Sequence, residues 1–307
     1  MFKDLYPFKS HYLDLQGLQY HYLDEGQGEP VVMVHGNPTW SFYYRNLARA
    51  LSNNAFVKSR VIVPDHIGCG FSSTPDDSRY DYTLKQRIDD LETLLETLKL
   101  RENITLVLHD WGGMIGMGYA TRHPERISKI VLLNTAAFHL PPGKGFPAAL
   151  RLTRTWLGAL AVRGFNAFSA VAARVCVKRK PMSKEILRGY VMPYDSWKNR
   201  IATLRFVQDI PLQPGDVSYD EVSRIESQLQ LFRKIPVQIY WGKLDFVFDD
   251  HFLARWKEIF PQAEVHYFAD CGHYILEDAA EEIIPLIQSF VTKQENTFIA
   301  NSLVTEP

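Results

Sequence analysis

Apolar and polar residues alternate from Tyr12 to Tyr22. Tyr12, Asp14 and Gln16 are followed by Leu18, Tyr20 and Tyr22, and the stretch closes at Asp24-Glu25-Gly26. A period of two ended by turn residues predicts antiparallel strands. The next apolar segments have a different pattern. Val31–Val34, Val61–Val63, Ile104–Leu108 and Ile130–Leu133 are continuous apolar runs, which suit parallel strands buried on both faces. Helical patterns lie between them. The clearest runs from Thr83 to Leu98, where Leu84, Ile88, Leu91, Leu95 and Leu98 share one face. Thr83 with Gln86 predicts a capping box at its start. Strands alternating with helices predict βαβ units and a mostly parallel, twisted sheet flanked by helices.

The alternation breaks after Asn134. Residues 136–229 hold helical patterns and many prolines but no strong strand. Strand patterns return at Val237–Trp241 and Val265–Phe268. The expected organisation is therefore an α/β core of residues 1–135 and 230–292, a helical cap of residues 136–229 inserted after the sixth strand, and a loose polar tail at 293–307.

Composition changes little in this picture. The chain has 307 residues, 46% hydrophobic and 22% charged, which fits one globular core carrying an insertion. A net charge of −1 gives no reason to expect nucleic acid as a partner. The start, Met1-Phe2-Lys3-Asp4-Leu5, has no signal-peptide pattern. The most apolar segment, Leu157–Val177, is interrupted by Arg163, Asn166 and Arg174, so no membrane span is expected. Cys69, Cys176 and Cys271 show neither metal spacing nor a disulfide framework, and reduced thiols in a cytoplasm are the expectation. No metal motif or nucleotide loop is present in the sequence, and no cofactor is expected.

The candidate chemistry lies where strands end, which is where open α/β sheets place their sites. One strand runs into His35-Gly36-Asn37-Pro38, and another into His109-Asp110-Trp111-Gly112-Gly113 at the start of a helix. Two later strands lead to Trp241-Gly242-Lys243-Leu244-Asp245 and Asp270-Cys271-Gly272-His273. The strand-Asp-Trp-Gly-Gly-helix segment resembles the nucleophile elbow of the α/β-hydrolases, with Asp110 where serine is usual and Leu108 in place of the first glycine. The order Asp110, Asp245, His273 matches that fold's order of nucleophile, acid and base. A carboxylate nucleophile attacks a saturated carbon bearing a leaving group and forms an ester. Asp245 is the expected partner of His273, because Ile127–Leu150 holds no Asp or Glu that could serve instead. Asn37 and the Trp111 indole are candidates for holding the leaving group.

Each residue also has a structural reading. Asp110 could cap a helix. Asn37 could belong to a turn before Pro38, and Trp111 to the core. Four strand ends delivering Asn, Asp-Trp, Asp and His to one edge favour catalysis. His35, His66 and His109 read as structural hydrogen-bonders, and Asp270 as a turn residue. Arg174, Lys178, Arg179, Lys180 and Lys184 read as a solvated helix face.

His35–Thr39 together with His109–Gly113 resembles the haloalkane dehalogenases, in which the Asp is the nucleophile and the Trp and Asn hold the departing halide. Epoxide hydrolases share the Asp but usually lack that Asn. Further stretches, His35–Arg45, Pro64–Gly70, Asn134–Leu140, Val177–Met182 and Ile201–Leu212, resemble the β-lactone decarboxylases of bacterial long-chain olefin biosynthesis. That resemblance implies conversion of a cis-3,4-dialkyl β-lactone into a cis-alkene and carbon dioxide. It also implies a hydrophobic small-molecule substrate and cytoplasmic assembly with the enzymes that make the lactone. The alternative is a haloalkane dehalogenase. A non-catalytic binding protein is a third reading, but it has no need of a complete triad. Phe138, Leu140, Phe146, Trp156, Leu157, Leu160, Phe165, Phe168 and Val171 of the insertion are candidates for lid packing or for a tunnel taking two alkyl chains.

Overall fold

A computed structural model describes residues 2–53 and 59–293. Of the expected tail, all but Lys293 lies outside the described residues. Eight strands form one sheet: β1 (His11–Leu15), β2 (Leu18–Gly26), β3 (Glu29–Val34), β4 (Ser59–Pro64), β5 (Ile104–Asp110), β6 (Ile127–Thr135), β7 (Val237–Gly242) and β8 (Glu264–Phe268). Their spatial order is β1-β2-β4-β3-β5-β6-β7-β8. β1 pairs antiparallel with β2, and β2 with β4; every later pair is parallel. The continuous apolar runs occupy the middle. All residues of β5 and β7 are buried, as strands covered on both faces must be.

Helices α1 (Phe2–Leu5), α2 (Arg45–Ser52), α3 (Leu84–Thr97) and α4 (Trp111–Arg122) precede β6. In α3 the expected face is buried: Leu84, Ile88, Leu91 and Leu95 pack in one of the two core clusters, and Leu98 against its edge. The capping box is only half formed. The Gln86 amide N–H donates to Thr83 Oγ1 at 3.3 Å, but the Gln86 side chain turns forward to Asp90 instead of back to Thr83. The Thr83 backbone N–H that the reciprocal bond would use donates instead to the Asp81 carbonyl at 2.8 Å.

Between β6 and β7 the described elements are helical: α5 (Ala148–Thr153), α6 (Trp156–Phe165), α7 (Ala167–Val175), α8 (Lys184–Val191), α9 (Ile201–Gln208) and α10 (Tyr219–Gln228), with short 3-10 turns. α10 lies against α4, burying Val222 and Ile225 in the core. After β7 come α11 (Asp250–Ile259), α12 (Ile275–Asp278) and α13 (Ala280–Thr292). Two expectations change here. Lys178 to Met182 belong to a loop rather than a helix. Arg179 is no solvated charge: its guanidinium forks onto Asp270 (2.9 and 3.1 Å) and also reaches Glu282. Asp270 therefore ties the loop after α7 to the last strand's turn.

Candidate active site

The site is built on the turn from β5 into α4. Asp110 takes φ 52°, ψ −126°, a conformation that L residues rarely adopt. Its neighbours leave it little choice. A Cβ on Gly112 would collide with the Val34 carbonyl, so only glycine lets α4 start this close to β3. The Asp110 carbonyl accepts from Thr135 Oγ1 at 2.5 Å, anchoring the turn to the end of β6. The Asp110 side chain is thereby held above the sheet edge, with Oδ1 accepting from the Asn37 backbone N–H at 2.6 Å.

His273 faces the other carboxylate oxygen. Its Nε2 lies 3.5 Å from Asp110 Oδ2, and its Nδ1 lies 2.7 Å from Asp245 Oδ2. Asp245 Oδ1 accepts from the backbone N–H groups of Val247 and Phe248, which aims the carboxylate at the imidazole. The ring sits between Phe248 (centroids 5.7 Å apart) and His109 (4.6 Å). Burial opposes a charge on His273, but Asp245 and Asp110 together outweigh it and raise the imidazole to about 10. The position between Asp245 and Asp110 therefore favours the charged form of the ring.

Asn37 and Trp111 border the same space, together with Asp110 and His273. The Asn37 side-chain amide donates one N–H to the Thr203 carbonyl at 3.0 Å, which fixes its orientation and leaves a second N–H. The Trp111 ring packs on Phe206 with centroids 5.3 Å apart. Its indole N–H has no hydrogen-bond partner among the described residues. The remaining histidines have structural surroundings. His35 Nδ1 donates to the Gly36 carbonyl, which leaves Nε2 to accept from the His66 backbone N–H. His109 Nε2 lies 2.9 Å from the His273 carbonyl. Burial lowers the basicity of all three, so they stay neutral.

A cavity of about 460 Å³ opens above these groups. Its wall is almost wholly apolar, with Phe138, Leu140, Phe146, Phe168 and Val171 all lining it. Trp156, Leu157, Leu160 and Phe165 do not line it. They stand exposed on the surface of α6. Two contributors went unread in the sequence. Thr135 and the Thr203 carbonyl act through contacts far along the chain, which no local pattern reveals.

Residues 29–280 match the family model described as the alpha/beta hydrolase fold. The chain belongs to the α/β-hydrolase fold family. Within it, the chain is 62% identical over 296 residues to the cis-3-alkyl-4-alkyloxetan-2-one decarboxylase of Shewanella oneidensis, covering 96% of this chain and 92% of that protein. The protein of the same name from Xanthomonas campestris is 47% identical, covering 94% of this chain and 97% of its own length. A haloalkane dehalogenase of Mycolicibacterium paratuberculosis is 32% identical, covering 93% of each. Among solved structures, the haloalkane dehalogenase DatA of Agrobacterium tumefaciens superposes with a TM-score of 0.79 at 26% identity, covering 92% of this chain and 96% of that one. An α/β-hydrolase fold puts the nucleophile on a strained strand-to-helix turn, and in this chain that turn carries a carboxylate.

Proposed function

We propose that this protein is a β-lactone decarboxylase, a carbon–carbon lyase converting cis-3,4-dialkyl oxetan-2-ones into cis-alkenes and carbon dioxide. The observation carrying this reading is the 62% identity, sustained over nearly the whole chain, to a relative of that name. The apolar cavity supports it, since each methylene moved from water into such a wall gains about 0.8 kcal/mol. In this reading residues 136–229 form a lid over a core of residues 1–135 and 230–292. The buried, unbridged thiols of Cys69, Cys176 and Cys271 fit a reducing cytoplasm. Assembly with the enzymes that make the lactone is part of the same reading and rests on the resemblance.

Asp110 is the nucleophile. It attacks the ring carbon bearing the lactone oxygen, forming a C–O bond as the ring C–O bond breaks with inversion. An alkyl ester on Asp110 and a free β-carboxylate result. Anti elimination then breaks the C–C bond to that carboxylate, releases carbon dioxide, forms the alkene and returns the electron pair to Asp110. Inversion followed by anti elimination amounts to a syn loss, so a cis-lactone gives a cis-alkene. Trp111 and Asn37 donate N–H groups to the carboxylate that departs in the first step. His273, charged by Asp245 and Asp110, stabilises the Asp110 carboxylate as it leaves in the second. No proton needs to move and no water enters.

A haloalkane dehalogenase uses water where this cycle does not, and two experiments separate the readings. Purified protein given a cis-β-lactone should yield alkene; given a 1-haloalkane it should release little halide. Halide release without alkene formation would reverse the assignment. Many turnovers in oxygen-18 water should leave the Asp110 peptide unlabelled, whereas label accumulating beyond a substrate-free control would rule out the water-free cycle.

A further inference from the structure

The lid is apolar on both sides. Inward, Ala161, Val162 and Phe168 contribute to the cavity wall. Outward, Trp156 and Phe165 are 75% and 78% exposed, and Leu157 and Leu160 of the same helix are also exposed. Trp197 joins them: exposed itself, it neighbours Gly164 together with Leu160, and Arg163 stacks over its indole at 4.6 Å. Single exposed apolar residues are ordinary, but a cluster of this size on one small region marks a binding surface.

Charge is a second and independent observation. Residues 136–208 hold thirteen Lys and Arg against two acids, Glu185 and Asp195, a net charge of +11 in a chain whose total is −1. Lys144, Arg179 and Arg205 pair with carboxylates outside the segment. Arg151, Arg174, Lys180, Lys184, Arg188 and Lys198 are exposed. No single helix among the described residues is long and apolar enough to cross a membrane, and α6 and α7 meet at 77°. Such a pair can lie on a bilayer.

We propose that the outer face of the lid docks on an anionic phospholipid surface. Trp156 and Phe165 sit at the boundary of headgroups and acyl chains, and the exposed Lys and Arg of residues 136–208 meet lipid phosphates. An acidic protein would answer the charge, but it would also need apolar pockets shaped for two projecting aromatic rings, which a bilayer accepts without any. Leu152, Val171 and Val175 both line the cavity and are exposed, so the mouth opens among these same helices. Docking turns that mouth toward the acyl chains. Delivery of a long-chain lactone from the bilayer rests on the proposed function; docking itself does not.

Sedimentation with vesicles tests the docking without substrate. The protein should bind vesicles containing about one-third phosphatidylglycerol at least about tenfold better than pure phosphatidylcholine, and added salt should weaken the binding. Joint replacement Trp156→Asp and Phe165→Asp should cost about tenfold or more in partitioning. It should leave the melting temperature and the turnover of a short-chain soluble β-lactone unchanged, because neither residue touches the cavity. Lys180→Glu with Lys184→Glu, which alters no lid helix interior, should weaken binding to the anionic vesicles alone. Equal sedimentation with both lipids, or full binding by the aromatic double variant, would overturn the proposal. Binding that persists without any lactone turnover would leave the docking standing and count against the proposed function.

Discussion

The turn at Asp110 and the helical segment between β6 and β7 are built by opposite rules. At the turn the two aspartates are held by named partners: Asp110 by Asn37 and Thr135, Asp245 by two backbone amides and His273. Neighbouring strands fix the position of each group, and a glycine under each close approach keeps the backbone tight. Residues 136–208 instead present apolar side chains both to the cavity and to solvent and carry +11 of charge, leaving −12 for the rest of the chain. The contrast teaches where each property is adjustable. The proposed site groups are positioned by neighbouring strands, whereas the segment between β6 and β7 forms much of the cavity wall.

The sharpest test removes the Asp110 carboxylate, the proposed nucleophile. Asp110→Ala should lower kcat by on the order of 10⁴-fold or more, because the covalent step has no other nucleophile. A folded variant retaining substantial turnover would strip Asp110 of that role. Next in size, Trp111→Phe keeps the ring and deletes the N–H, and should lower kcat by about 10²-fold with KM little changed. Steady-state kinetics giving an unchanged kcat would show that the donor is idle. Phe168→Asp, inside the lid, should then lower kcat/KM for long-chain substrates by about tenfold or more. Leu157→Asp, outside it, should change the same constant less than about twofold in detergent-dispersed assays. Equal losses at the two positions would erase the distinction between the lid's faces.

The charge on His273 yields a smaller effect with a defined sign. Its folded-state proton affinity is raised, so the stability it contributes is complete below about pH 6.5 and is lost as the pH climbs through about 10. Denaturant unfolding should show that decline, and His273→Gln should flatten it. A slope unchanged by the substitution would assign the titration elsewhere. The smallest effect concerns the clasp between lid loop and core. Asp270 is largely exposed, so Asp270→Asn should cost no more than about 1 kcal/mol of unfolding free energy.

The sequence made the core readable because buried parallel strands write themselves as unbroken apolar runs. Val31–Val34 and Ile104–Leu108 could hardly be anything else, and polar residues at their ends then mark a site edge. The lid was less legible for a physical reason. In α6, Trp156 and Val162 are both apolar, and periodicity cannot tell an inward stripe from an outward one when both faces are apolar. Nor could local spacing show Arg179 reaching Asp270, 91 residues away, or the Thr203 carbonyl holding Asn37 across 166. The capping box at Thr83 stayed half-formed more simply, since the Asp81 carbonyl had already taken the Thr83 N–H.

β6 and β7 are hydrogen-bonded neighbours, pairing Ile130 with Val237 and Leu133 with Tyr240, although about a hundred residues separate them in the chain. Everything between leaves the sheet at one strand end and comes back beside it. A gene encoding this protein can therefore exchange that stretch in a single recombination event without rethreading the sheet. Transplanting the segment between relatives would keep the sheet's threading, provided that the carbonyl holding Asn37 and the ring packed on Trp111 come with it.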